Sequence, residues 1–165
     1  MISGARTKWP MLPIIVLALS ILTVRGLTAR GLTVRADACP LELPTTTVSI
    51  NGHQLIVEWA ASPQSRACGL SHRSVLDEDH GMLFVYPNPE MRTYWMKDTW
   101  IPLSIAFLDE SGKILNIEIM SPNQTEKRYR SRLPAEYALE VNQGWFRLHG
   151  VKVGDKVDMT GFGLK

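Results

Sequence analysis

The sequence predicts a mainly β protein, a compact β-sandwich or partly open barrel with one or two short helices. Three observations carry that expectation. The apolar runs are short, and several alternate with period two. Turn-forming clusters such as Asn51-Gly52, Asp109-Glu110-Ser111-Gly112 and Val153-Gly154-Asp155 separate them. Helix signals are confined to brief stretches after Ser62-Pro63 and around Trp145.

Taken in order, Thr45 to Ile50 is β-branched and Asn51-Gly52 supplies the pair of positive-φ residues that a two-residue hairpin turn requires. His53 to Trp59 returns as the second strand, with Leu55, Val57 and Trp59 on one face. Ser62 suits an N-cap, Pro63 the first turn, and Gly69 a left-handed end for a helix through Cys68. After the acidic turn Asp77 to Gly81, Met82 to Tyr86 is a short strand closed by Pro87-Asn88-Pro89. Arg92 to Met96 reads as strand, and Pro102 marks a strand edge because it cannot donate to a ladder. Leu103 to Leu108 and Lys113 to Met120 form a second hairpin, with Leu115, Ile117 and Ile119 inward and Asn116 and Glu118 outward. In Tyr137 to Val141 the residues Tyr137, Leu139 and Val141 share one face and Glu140 takes the other. Asn142 is placed to cap a short helix through Trp145 and Phe146, before a last strand from Lys156 to Met159.

The first 38 residues stand apart. Arg6 and Lys8 precede an apolar run from Met11 to Val24, and Ala36-Asp37-Ala38 offers a small-x-small cleavage pattern ahead of Cys39. Residues 1–38 therefore read as a signal peptide or N-terminal anchor with a basic spacer, and 39–165 as a single domain. Export to the periplasm or beyond the cell follows, with membrane attachment only through an uncleaved leader. Of the 18 basic and 16 acidic residues, five and one lie in this leader, leaving 13 and 15 and a net charge of −2 for residues 39–165. That remainder carries no electrostatic footprint for nucleic acid. Lys127 to Arg132 is its one basic cluster and suits a solvated loop. Outside the cytoplasm Cys39 and Cys68 can form one disulfide; two unpaired cysteines, with Cys68 buried, are the alternative.

Several motifs stand together at characteristic spacing. They are Arg66-Ala67-Cys68-Gly69-Leu70, Gly81-Met82-Leu83-Phe84, Tyr94-Trp95-Met96-Lys97-Asp98-Thr99, Ile101-Pro102-Leu103, Ala106-Phe107-Leu108-Asp109 and Ala138-Leu139-Glu140-Val141-Asn142-Gln143-Gly144-Trp145-Phe146. In this the chain resembles the DUF192 family, also called UPF0127, over roughly residues 46–160. The resemblance implies a compact β-rich domain with a leader or anchor in an often exported prokaryotic protein, and it implies no established reaction. Three positions depart from the family pattern: Cys68 stands where Arg is usual, Ser71 where Met is usual, and Ser104 where Asp is usual.

The candidate site is a ligand-binding cluster of Arg66, Arg73, Trp95, Lys97, Asp98, Trp100, Glu140 and Trp145. Guanidinium forks hold carboxylates or phosphates, and indole faces stack on sugars and other rings. Trp95 and Trp145 equally suit a core, and Arg66 equally suits a structural pair with Glu140. The four histidines, His53, His72, His80 and His149, lack metal-ligand spacing, and no Gly-x-Ser-x-Gly elbow is present, so neither a metal nor another cofactor is expected. The expected role is an extracytoplasmic binding or accessory domain for a small polar or glycan-like molecule or an envelope component. The alternatives are an envelope hydrolase using Glu140, Asp98 and Lys97, and a structural partner in an envelope assembly presenting Trp100.

Overall fold

The structure, a computed structural model, describes residues 39–162; the leader reading lies outside the described residues. Among the described residues no helix is long and apolar enough to cross a membrane.

The chain opens with the hairpin of β1 (Thr45–Ile50) and β2 (His53–Ala60), in register from Thr45 opposite Glu58 to Ile50 opposite His53. Asn51 at φ 52° and Gly52 at φ 84° make the tight turn. Two consecutive positive φ values suit Asn-Gly and match the twist of the flanking strands. A crossover then carries α1 (Pro63–Cys68) and sets β3 (His80–Glu90) parallel to β2, the only parallel pair among the described strands. Ser62 caps α1: its Oγ accepts from the Ser65 N–H at 3.0 Å, and Ser65 Oγ accepts from the Ser62 N–H at 2.9 Å. Gly69 ends the helix at φ 49° and ψ −138°, outside the left-handed helical region the sequence suggested.

β3 runs past Pro87 to Glu90. A register irregularity between Val85 and Glu90 removes the ladder bonds that the prolines could not make. The strand expected at Arg92–Met96 shrinks to β4 (Thr93–Tyr94), because Met96 already begins a turn in which Thr99 N–H donates to the Met96 carbonyl at 3.2 Å. β4 pairs with β7 (Tyr129–Arg130) as a small second sheet. The remaining elements are β5 (Leu103–Leu108), β6 (Ile114–Met120), β8 (Ala135–Asn142), α2 (Trp145–Leu148), β9 (Val157–Asp158) and a closing 3-10 turn at Thr160–Phe162.

The main sheet has seven strands in the order β6-β5-β8-β3-β2-β1-β9, curled into a half-barrel. The fold is mainly β, as the alternating pattern predicts. Both faces of its centre are covered, so successive residues of one strand enter different cores. Leu139 and Val141 join Val48, Leu55, Val57, Leu83, Trp145 and Phe146 on one face. Ala138 joins Met82, Phe84, Met96, Ile105, Phe107 and Tyr129 on the other.

Two local expectations change. Asn116 is buried and Ile119 is 60% exposed, the reverse of the predicted orientation. β6 is the outermost strand, and the segment around Arg130 folds over its Asn116 face: Asn116 Nδ2 donates to the Arg130 carbonyl and its Oδ1 accepts from Arg132 N–H, both at 3.0 Å. Asn142 does not cap α2, whose N-cap is Gly144. Its amide instead donates to the carbonyls of Leu76 and Asp77, at 3.1 and 2.8 Å, and holds the acidic turn.

Cys39 and Cys68 are joined by a disulfide with Cα atoms 5.5 Å apart. It ties the first described residue to the last turn of α1.

Candidate functional site

β8 sits between β3 and β5, and its Glu140 lies opposite Met82 on one side and Ile105 on the other. That register aims an ionisable side chain at the second core. Glu140 is 5% exposed. Among the described residues it forms no ion pair and accepts no hydrogen bond. Burial without a counter-ion pushes its carboxyl up to about 8, so the group keeps its proton near neutral pH.

The carboxyl is part of the lining of a cavity of about 60 Å³. α1 and the turn after it supply one wall through Arg66, Cys68 and Ser71. The β4 segment supplies the opposite wall through Tyr94, Trp95, Lys97 and Thr99. Local structure fixes each wall. Arg66 donates to the Ala61 and Val85 carbonyls and lies 4.8 Å from the Tyr86 ring centre. Tyr94 packs edge-on against Phe84 and Phe107, and its hydroxyl shares a 2.8 Å hydrogen bond with Tyr86. Burial, with the Tyr86 hydroxyl and Glu140 adding to it, holds the Tyr94 hydroxyl well above its ordinary value. Lys97 is exposed and sits 5.7 Å from the centre of the half-exposed Trp95 ring, which Arg128 also covers at 4.9 Å.

Backbone approach also matters. Gly81 of β3 lies where a Cβ would come within 2.5 Å of the Glu140 carbonyl oxygen. No side chain fits there without displacing β8, so a glycine lets the sheet close tightly behind the carboxyl.

Of the residues singled out from sequence, the structure brings Arg66, Trp95, Lys97 and Glu140 to this cavity. Arg73 is not among them. Its guanidinium forks onto the Glu58 carboxylate, at 2.7 Å for the Nη2 contact, and donates to the Leu41 carbonyl at 3.2 Å. Trp145 belongs to the opposite face: it is 3% exposed, stacks on His149 and donates from Nε1 to Asp79 at 3.0 Å. Asp98 occupies a left-handed turn position at φ 55°, and its carbonyl accepts from His72 N–H at 2.7 Å. Trp100 is 54% exposed, edge-on to His72. Neither Asp98 nor Trp100 lines the cavity, so the Glu140, Asp98 and Lys97 set of the hydrolase alternative is not assembled there. Ser104, which replaces the family's usual Asp, is buried and its Oγ accepts from Gly144 N–H at 3.0 Å, serving the approach to α2.

Sequence reasoning passed over Tyr94, Tyr86, Ser71 and Thr99. Tyr94 adjoins Trp95 and had a local signal; Ser71 and Thr99 had none. A larger cleft of about 490 Å³ beside Tyr137 and Lys156–Thr160 contains none of the predicted residues. Among the described residues no cluster of His, Cys, Asp and Glu is arranged to hold a metal ion.

No curated protein matches the chain. A Sinorhizobium meliloti 1021 protein, provisionally described as a transcription regulator, is similar in structure with a TM-score of 0.69 at 34% identity, over 74% of this chain and 99% of its own. A protein of unknown function from Novosphingobium aromaticivorans DSM 12444 is similar with a TM-score of 0.66 at 29% identity, over 78% of this chain and 99% of its own. The model of DUF192, described as Uncharacterized ACR, matches residues 46–159, and the chain belongs to that family.

Proposed function

We propose that this DUF192 chain is an extracytoplasmic binding or accessory domain that takes the polar head of a small or glycan-like molecule into the Glu140 cavity. One observation carries the reading. A carboxyl is buried on β8, an interior strand, with no hydrogen bond or ion pair from the described residues, and it lines a cavity walled by Lys97, Arg66 and Trp95. The carboxyl oxygens open onto the cavity, so a ligand that enters can bond to them directly. Trp95 is half-exposed beside the Lys97 and Arg128 that lie over its ring, so a sugar ring can rest against its open part.

The leader pattern and the Cys39–Cys68 disulfide support placement outside the cytoplasm, where such bonds persist. The net charge of −2 on residues 39–165 is unsuited to a phosphate backbone, so the regulator description of the Sinorhizobium protein is not adopted for this chain.

The test is a titration followed by the Trp95 indole resonance, using monosaccharides, small organic acids and envelope fragments. Binding shifts that resonance in the wild type and fails to do so when Glu140→Leu fills the cavity with an apolar side chain. No shift with any member of the panel defeats the reading. Fusion of the leader to a reporter that is active only after export tests the compartment separately.

A second reading has one observation in its favour. A carboxyl that is still protonated at neutral pH suits a general acid, so a hydrolase using Glu140 and Lys97 remains the alternative. It requires turnover that Glu140→Gln abolishes while the fold is kept.

A further inference from the structure

We infer that the group admitted to the Glu140 cavity is a carboxylate, bonded to the Glu140 carboxyl as hydrogen-bond donor and drawn in by the cations Arg66 and Lys97 on the cavity walls. This rests on the binding reading above and names the ligand class for it.

The charges around the carboxyl decide the class. α1 contributes Arg66, and the segment after β4 contributes Lys97. β3 and β4 contribute Tyr86 and Tyr94, whose hydroxyls burial raises above the ordinary range, so both stay neutral through pH 9. Arg92 lies behind Tyr86, 3.7 Å from its ring centre. β5 contributes Ile105 opposite Glu140, and no charged group. Glu140 is the one acid in the lining, and it carries a proton. The lining therefore carries two cations, neither near enough to lower the carboxyl, and an O–H without an acceptor.

An anion satisfies both. It accepts from the Glu140 O–H and is drawn in by Arg66 and Lys97, and charge-assisted bonds of this kind are the stronger ones. An ammonium group meets two cations and can pair with Glu140 only after the proton leaves. A neutral hydroxyl gains a hydrogen bond and no charge term.

Size narrows the class. A cavity of about 60 Å³ admits a planar group of a few atoms. It is far below the roughly 300 Å³ at which drug-sized pockets begin. The carboxylate enters, and any ring stays outside against Trp95.

The pH dependence has a definite sign. Below about 8 the carboxyl keeps its proton and donates; above it the ionised group repels the bound anion. Affinity for a carboxylate is therefore full at pH 6.5 and lost as pH rises to 9. Affinity for an ammonium group changes in the opposite direction.

Three probes share one ring and differ in charge at pH 6.5: D-glucuronate, D-glucose and D-glucosamine, the last used only at that pH because its amine is neutral at pH 9, with acetate as a carboxylate lacking the ring. The full chain is titrated calorimetrically at pH 6.5 and pH 9, with the Trp95 indole resonance recorded in parallel. The expected result is glucuronate bound about tenfold more tightly than glucose at pH 6.5 and weakened about tenfold at pH 9. Glu140→Gln retains an N–H donor and cannot titrate, so it keeps the preference and loses the weakening. Lys97→Ala lowers affinity for glucuronate and acetate by a larger factor than affinity for glucose. Preference for glucosamine, or equal binding of all three sugars, overturns the inference while leaving the binding reading in place. If all four probes leave Trp95 unmoved, both fall.

Discussion

Leu139 and Glu140 are neighbours on β8, an interior strand of the main sheet, and look in opposite directions. Leu139 enters a core closed by Trp145, Phe146 and the β1–β2 hairpin, with no charged side chain in it. Glu140 enters a core of similar side chains, Met82, Phe84, Ile105 and Phe107, and meets a cavity there. The two sides differ in what covers them. The closed side is roofed by a helix whose tryptophan is anchored to Asp79, whereas the other is roofed by α1 and the β4 segment, which leave a small cavity lined by the carboxyl. The same strand thus spends one residue on stability and the next on a group that is costly to bury. An apolar side chain at position 140 would be the ordinary solution for stability alone.

That contrast can be broken most sharply with pH. The Glu140 carboxyl titrates near 4.5 when exposed and near 8 when folded. A raised folded value means its contribution is fully present below about pH 4.5 and is lost as pH climbs to about 8. At about 1.36 kcal/mol per unit, the loss is on the order of 5 kcal/mol. Urea denaturation midpoints measured between pH 4 and 9 should fall over that window, and in Glu140→Gln the corresponding slope should vanish. An unchanged slope in the variant would mean that the carboxyl is solvated.

The next effect concerns the roof over the cavity. Opening the Cys39–Cys68 link with paired Ser substitutions frees a loop of 29 residues' separation and should destabilise the fold by about 3.5 kcal/mol in the chain-entropy treatment. It should also broaden the Trp95 indole resonance, because Cys68 lines the cavity. On the closed side Leu139→Ala should cost about 3 kcal/mol, independent of pH, read from the same denaturation curves. The smallest change is Trp145→Phe, which removes the hydrogen bond to Asp79. A loss of about 1 kcal/mol is expected, with no effect on ligand titration at Trp95. Altered binding in that variant would show that the two faces are coupled.

The parts of the molecule that local chemistry specifies were legible in the sequence. Asn51-Gly52 marked the first hairpin, Ser62-Pro63 the start of α1, and the alternation around Leu139 put Glu140 on its own face. The sequence does not show that both faces are covered. That depends on β4 and α1, which lie far from Glu140 in the chain, and an acid in an alternating strand ordinarily faces water. Convergence failed for the same reason. Arg73 met Glu58 in the preceding strand, and Trp145 met Asp79, through contacts that spacing alone does not encode. Asn116 shows the edge case: its period-two position is outward only until a distant segment folds over it.

The one parallel pair among the described strands, β2 with β3, has a kinetic consequence. A parallel neighbour cannot follow through a tight turn, so its pairing waits until the whole crossover has been threaded back across the sheet. The β1–β2 hairpin closes through contacts only a few residues apart and should form early. α1 rides on the slow crossover and walls the cavity. The binding surface should therefore be among the last parts of the molecule to become ordered during refolding, appearing after most of the strand signal has already recovered.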